Sequence, residues 1–169
     1  FGATLHRALE DFHRQGGPSQ LSTEDLVENL HQRWVSLGYA SLEEEQSFRE
    51  SAEQLLQNYC STQPPEGVTT LFTEKQLRCD MGEFVLMGRV DRVDQHPDGH
   101  LEAIDYKSGR ETVREEEVRD DLAMSVYAYL LRNCHTDQPV DATIHALRTN
   151  TCATARFGED DFNRIEEAI

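Results

Sequence analysis

Apolar residues recur at helical spacing through the first third of the chain, then switch to the alternation of strands. Leu5, Leu9 and Phe12 stand at i, i+4 and i+7 and predict a helix over 3–14. Gly16-Gly17-Pro18 stops it. Ser22 or Thr23 caps a second helix over 23–37, with Leu26, Leu30, Trp34 and Leu37 as its buried face and Gly38 at its end. A third runs from Ser41 to Tyr59, where Ser41-Leu42-Glu43-Glu44 resembles a capping box. Ser61 to Gly67, with Pro64-Pro65, reads as a loop. Thr69 to Cys79, Glu83 to Gln95 and His100 to Lys107 are rich in Val, Leu, Phe and Thr and predict strands. Residues 113–133 return to helix, Val140–Arg148 and Cys152–Phe157 form two more strands, and Gly158-Glu159-Asp160 opens a last helix. That order predicts an α/β fold, a small mixed sheet flanked by helices.

Composition narrows the class. The 169 residues, 37% hydrophobic and 28% charged, suit a single soluble domain over 1–169. There is no apolar run of the ~20 residues that a membrane helix needs, nor a secretion signal. Phe1-Gly2-Ala3-Thr4-Leu5-His6 already reads as structure, so a piece of a larger protein is expected. Cys60, Cys79, Cys134 and Cys152 lie far apart without a CxxC, which points to reduced thiols in a cytoplasmic protein and to no zinc site or iron–sulfur cluster within these residues. Sixteen basic against 32 acidic residues give a net charge of −16. A domain that holds DNA by electrostatics alone should be basic, so this balance counts against a freestanding nucleic-acid binder.

The candidate chemistry lies between Gly88 and Lys107. Pro97-Asp98-Gly99 is a turn signal, with proline presetting φ and glycine accepting the left-handed position of a three-residue loop. Setting His96 opposite His100 and counting outward places Asp91 opposite Asp105 and Arg89 opposite Lys107. Opposed residues have Cβ atoms roughly 4.5–5.5 Å apart, where two carboxylates repel. A divalent cation, which prefers oxygen ligands, removes the conflict. Lys107 shares the face of Asp105. That face also receives Val85, Met87, Val93, Leu101 and Ala103, and the other receives Phe84, Leu86, Val90, Ile104 and Tyr106. A register slipped by one, with solvent-facing aspartates, stays open at this level.

Gly88-Arg89-Val90-Asp91-Arg92-Val93-Asp94 followed by Ile104-Asp105-Tyr106-Lys107-Ser108-Gly109 resembles the PD-(D/E)XK nuclease superfamily, in its RecB-type exonuclease branch. Upstream, Phe1 to Glu10 resembles that branch's first motif, a helix with a metal-binding histidine. Downstream, Val126-Tyr127-Ala128-Tyr129-Leu130 resembles the helix after the lysine strand. The resemblance implies a restriction-endonuclease-like core and metal-dependent hydrolysis of DNA, as an exonuclease in recombination and repair beside a fused or separate helicase. It implies His6, Asp91, Asp105 and the Tyr106 carbonyl as ligands of Mg²⁺ or Mn²⁺. One imidazole among oxygens tilts the choice towards Mn²⁺. Asp91, Asp105 and Lys107 are the implied catalytic set, with Lys107 orienting or helping to deprotonate the attacking water. Glu74 matches an acidic position on the preceding strand and reads equally as a surface glutamate.

Other readings stay open. Arg89, Arg92, Arg110 and Arg114 form a basic cluster that meets phosphates or pairs with Asp94, Glu111 and Glu115. Tyr127 is a candidate DNA contact. His13 and Glu10 read as solvated, and Trp34 as core. The branch usually carries a glutamine four residues before its tyrosine, where this chain has Ala123. That departure and the acidity favour an alternative, a catalytically weak module that binds DNA or a helicase partner. A hydrolase of smaller phosphoesters ranks last, since nothing supplies a nucleotide pocket.

Overall fold

Three helices come first, as the apolar periodicity requires. The computed structural model describes residues 1–62, 65–109 and 112–168; Pro64, Arg110 and Glu111 lie outside the described residues. Helix α1, Gly2–Arg14, buries Leu5, Leu9 and Phe12. Gly16 and Gly17 follow at φ 106° and 57° and lead into a 3₁₀ turn, Gly17–Ser19. Helix α2, Thr23–Arg33, is capped by Ser22, whose hydroxyl accepts the Asp25 N–H while the Asp25 carboxylate accepts the Ser22 N–H. Its predicted end at Leu37 is corrected. Trp34 leaves the helix in an extended conformation, stacks on Tyr39 at 5.9 Å and donates to Glu45 at 3.0 Å. Leu37 is 83% exposed and is no part of the core. In helix α3, Leu42–Ser61, Ser41 accepts the Glu44 N–H, but the Glu44 carboxylate takes the Ala40 amide, so the box is only half formed.

Among the described residues the sheet has five strands in sequence order: β1 Thr69–Asp80, β2 Val85–Gln95, β3 Leu101–Lys107, β4 Val140–Ala146 and β5 Thr151–Phe157. All neighbours are antiparallel except β3 and β4, which are parallel. A parallel pair needs a long crossover, supplied here by the predicted 113–133 helix. That helix is in fact two, α4 Glu115–Asp120 and α5 Leu122–Cys134. Asp121 breaks it by turning extended and accepting the Met124 N–H at 3.1 Å. Helix α6, Glu159–Ala168, follows β5. On one side of the sheet Leu101, Ala103 and Ile144 pack on Met124, Ala128 and Leu131 of α5. On the other, Ile104, Tyr106 and Leu147 pack on Leu5, Leu9, Leu30 and Leu56 of the first three helices. The expected α/β layering, a mixed sheet flanked by helices, is thus present.

The β2–β3 turn forms as read: Gly99 adopts φ 91° and donates to the His96 carbonyl at 2.8 Å, while His96 N–H reaches the His100 carbonyl at 3.0 Å. The counted register holds for Gln95↔Leu101, Asp94↔Glu102, Val93↔Ala103 and Arg92↔Ile104. There the ladder stops, so Asp91 and Asp105 are not a strand pair, nor are Arg89 and Lys107. The Tyr106 N–H that would continue it donates instead to Asp91 Oδ2 at 2.8 Å. The face assignment changes at the same place. Gly88 and Val90 face α5, yet so does Val93, and the intervening Arg92 points to the other side. Leu86 and Val90 therefore join the face of Leu101 and Ala103, while Val85 and Met87 are exposed.

Candidate functional site

Strands β1, β2 and β3 each contribute an acid that acts on His6 of α1. Residues flanking Glu74 on β1 pair with those flanking Asp91 on β2, Thr73↔Arg92 and Lys75↔Val90. Glu74 sits at φ 48°, a left-handed conformation that a residue with a Cβ adopts at a cost. His6 lies beside the buried stripe of α1, and its Nδ1 is 3.3 Å from Asp91 Oδ2. Helix α1 enters close to the end of β3, since a Cβ on Gly2 would lie 3.0 Å from Ser108 Oγ.

One ligand atom each from His6, Glu74 and Asp91 lie within 4.8 Å of one another, the group among the described residues that could hold a metal ion. Asp105 is buried beside them and meets the Lys107 ammonium at 2.7 Å. Its Oδ2, the atom that the ammonium meets, is enclosed. An imidazole and two carboxylates within reach of one another, with a third carboxylate beside them, fit a divalent cation such as Mg²⁺ or Mn²⁺. Expectation and structure differ in emphasis. Glu74 stands inside the cluster, and Asp105 stands at its edge with Lys107. Tyr106 reaches the site through its amide on Asp91, while its hydroxyl turns inward.

The electrostatics agree with crowded negative charge. The hydrogen bond to Asp91 raises the His6 pKa, against the opposing effect of burial. Burial raises Glu74, and Asp91 adds to it. Burial also raises Asp105, helped by Asp91 and opposed by Lys107, so these carboxylates lie within electrostatic reach although they are not paired strand positions. Tyr127 on α5 packs its ring over Gly88, where a Cβ would lie 2.9 Å from Cε1. Burial, then Asp105 and Asp91, push its hydroxyl up to about 12. Ala123 lies one turn earlier, half-buried, and offers only a methyl group.

The basic candidates separate. Arg89 is exposed and pairs with Glu74 at 2.7 Å. Arg92 turns away from solvent and donates to His13 Nε2 at 2.7 Å, Tyr59 Oη at 2.5 Å and Tyr106 Oη at 2.7 Å, with Asp94 at 3.0 Å. Its guanidinium is thus spent inside the fold. Arg110 lies outside the described residues, and Arg114 pairs with Glu117. His13, expected in solvent, is buried; burial and then Arg92 hold its pKa down at about 2. Glu10 is half-buried, pairs with Arg14, and with Thr73 lines the narrow cleft that contains His6, Glu74 and Asp91. The helical period could have found Glu10, four residues after His6; nothing local marked Thr73. A separate cavity of about 670 Å³ shares His13 and Arg92 with the cleft.

Comparison with known proteins places these features in a family. The family model of the PD-(D/E)XK nuclease superfamily matches residues 1–169. An ATP-dependent helicase/deoxyribonuclease subunit from Clostridioides difficile (strain 630) is 32% identical over 95 residues, which are 52% of this chain and 8% of that protein. The chain therefore spans a small fraction of that relative's length. A match along its whole length, on a restriction-endonuclease-like α/β core with clustered acids and an Asp-X-Lys strand, shows that the chain belongs to the PD-(D/E)XK nuclease superfamily.

Proposed function

We propose that this chain is the nuclease domain of a larger protein and hydrolyses DNA phosphodiesters with Mg²⁺ or Mn²⁺, as an exonuclease in recombination and repair alongside a fused or separate helicase. The observation that carries the reading is the convergence of His6, Glu74 and Asp91 beside the Asp105–Lys107 pair. The name of the clostridial relative, a helicase/deoxyribonuclease, supports both the DNA substrate and the helicase. A cytoplasmic site of action belongs to the same reading. Among the described residues no helix is long and apolar enough to cross a membrane.

His6, Asp91 and Asp105, with Glu74, would hold the ion. When bound, it supplies acidification of a water and neutralisation of charge on the phosphate. Lys107, in ion-pair contact with Asp105, positions the attacking water and stabilises negative charge as the P–O bond to the leaving oxygen breaks. The Tyr106 amide fixes the orientation of the Asp91 carboxylate. Tyr127 feels the charge of Asp105 and Asp91, which supports its reading as a contact to the substrate strand. The direct test incubates the chain, and a longer protein containing it, with single- and double-stranded DNA and either ion. Metal-dependent cleavage by the parent, lost in Asp105→Ala and Lys107→Ala, supports the reading; its absence, or equal cleavage by the variants, sinks it. The net charge of −16 and Ala123 favour a second reading, a weak or inactive module that binds DNA or a helicase, which predicts binding without cleavage.

A further inference from the structure

In a chain with 16 basic and 32 acidic residues, a surface cation meets a carboxylate almost wherever it stands. Arginines on every other part of the fold do so: Arg33 with Asp11, Arg49 with Glu45, Arg119 with Glu115, Arg132 with Glu159, Arg156 with Asp141 and Arg164 with Asp161. Among the described residues Arg7, Lys75, Arg78 and Arg148 are the lysines and arginines outside any ion pair, and all four are exposed.

Their positions are not scattered. Arg7 follows His6 on α1. Arg148 follows Leu147, whose amide donates to the Lys107 carbonyl at 3.1 Å. Arg78 stands on β1 opposite Met87, and Gln76 stands opposite Arg89. Opposed residues share a face, so these four line the outer side of the β1–β2 hairpin, confirmed by the Gln76 amide at 3.7 Å from Met87 Sδ. That face leads straight to Glu74. At ~3.4 Å per residue Arg78 lies about 14 Å from Glu74 along the strand, about four phosphates along one strand of a duplex. Lys75 differs: its ammonium lies 5.5 Å from the Phe72 ring, against the α5 side.

We infer that Arg7, Arg78 and Arg148, with Arg89, form the phosphate track that delivers a DNA strand to the candidate site. The inference rests on the nuclease reading for its choice of polyanion. Three cations left unneutralised amid a twofold excess of acid, two of them next to elements of the site and one on the strand face that leads to Glu74, complement a chain of phosphates, and Arg89, paired with Glu74, joins that face to the site. Contacts of this kind position the strand without reading its sequence.

The test measures binding alone, in EDTA, so that cleavage plays no part. Fluorescence anisotropy follows a labelled single-stranded oligonucleotide and a labelled duplex over a salt series. Arg7→Gln/Arg78→Gln/Arg148→Gln is compared with the parent and with Arg132→Gln/Arg164→Gln, which removes paired cations. All the substituted side chains of the first variant are exposed, so the fold is expected to persist, and circular dichroism checks it. The track predicts weaker binding for the first variant, with a salt slope reduced by about 0.7 per cation on the single strand or about 0.9 on the duplex, and little change for the second. Equal affinity and slope in all three proteins overturn it, as does a parent that binds neither oligonucleotide. Failure here with cleavage intact leaves the nuclease reading standing; the expected loss of binding in a protein that never cleaves does the reverse.

Discussion

Replacing Arg92 by methionine keeps the aliphatic stem and deletes the guanidinium on which four elements converge. Through Arg92 the strand that carries Asp91 is tied to α1 at His13, to α3 at Tyr59, to β3 at Tyr106 and, by way of Asp94, to Thr70 of β1. The Arg92 and Asp94 side chains are only 12% and 7% exposed, so their attraction is little screened. Burial works against the Arg92 charge, yet the oxygens of Tyr106, Tyr59 and Asp94 more than offset it and its pKa is raised. Removing one partner of a buried ion pair costs about 3–5 kcal/mol, because the other is left uncompensated. Against a domain stability of about 5–15 kcal/mol this is a large share. At 2–4 °C per kcal/mol, a loss of ~4 kcal/mol lowers Tm by about 8–16 °C. Thermal and urea denaturation of Arg92→Met at fixed pH measure it, with Arg164→Met, an exposed pair, as a comparator that should stay within about 0.5 kcal/mol of the parent. Adding Asp94→Leu to Arg92→Met should restore part of the loss, since no unpaired charge then remains. An Arg92→Met protein within about 1 kcal/mol of the parent, or a double variant as costly as both singles together, would refute the reasoning.

Other consequences are as open to measurement. Gly88→Ala drives a methyl to 2.9 Å from the Tyr127 ring and 3.2 Å from Leu130; overpacking of this kind costs about 1–3 kcal/mol, and a melt unchanged from the parent would contradict it. His13, held near pKa 2 in the fold, takes up a proton in the unfolded chain below about pH 6.5. The unfolded state then binds more protons, so stability is full above that pH and is lost below it, by about 2.7 kcal/mol on descending to pH 4.5. His13→Asn should remove that share of the pH dependence, whereas parallel stability–pH curves would speak against a neutral buried His13. Glu74→Gln should raise the Mn²⁺ concentration for half-maximal binding at least several-fold in calorimetry, and an unchanged isotherm would take Glu74 out of the cluster.

The legible parts of the sequence are those governed by near neighbours. Periodicity found the helices and strands, and Pro97-Asp98-Gly99 fixed both the turn and four strand pairs beyond it. What escaped was decided by distant partners. His13 looked like a solvent residue because the groups that bury it, Tyr59 and Arg92, stand 46 and 79 positions away. The end of the β2–β3 ladder depends on the Asp91 carboxylate preferring the Tyr106 amide, a choice that alternation alone does not encode. Leu37 failed as a core residue because Trp34, three positions earlier, found Tyr39 and Glu45 outside the helix. The candidate site was legible as a set of residues at Asp91, Asp105, Lys107 and His6. Its inner membership, with Glu74 beside Asp91, depended on the β1–β2 register, Thr73↔Arg92 and Lys75↔Val90, which no turn motif of the kind at Pro97-Asp98-Gly99 announced.

Glu74 sets two kinds of selection against each other. Its φ of 48° suits glycine better than any residue with a Cβ, so Glu74→Gly releases backbone strain of order 1 kcal/mol, less the flexibility that glycine adds to the unfolded chain. A library sorted only for heat resistance would therefore tend to accumulate glycine here, and in doing so would discard a carboxylate that no other residue on β1 brings to the cluster. Thermal hardening of this domain, pursued without a functional screen, leads towards a sturdier and chemically silent protein.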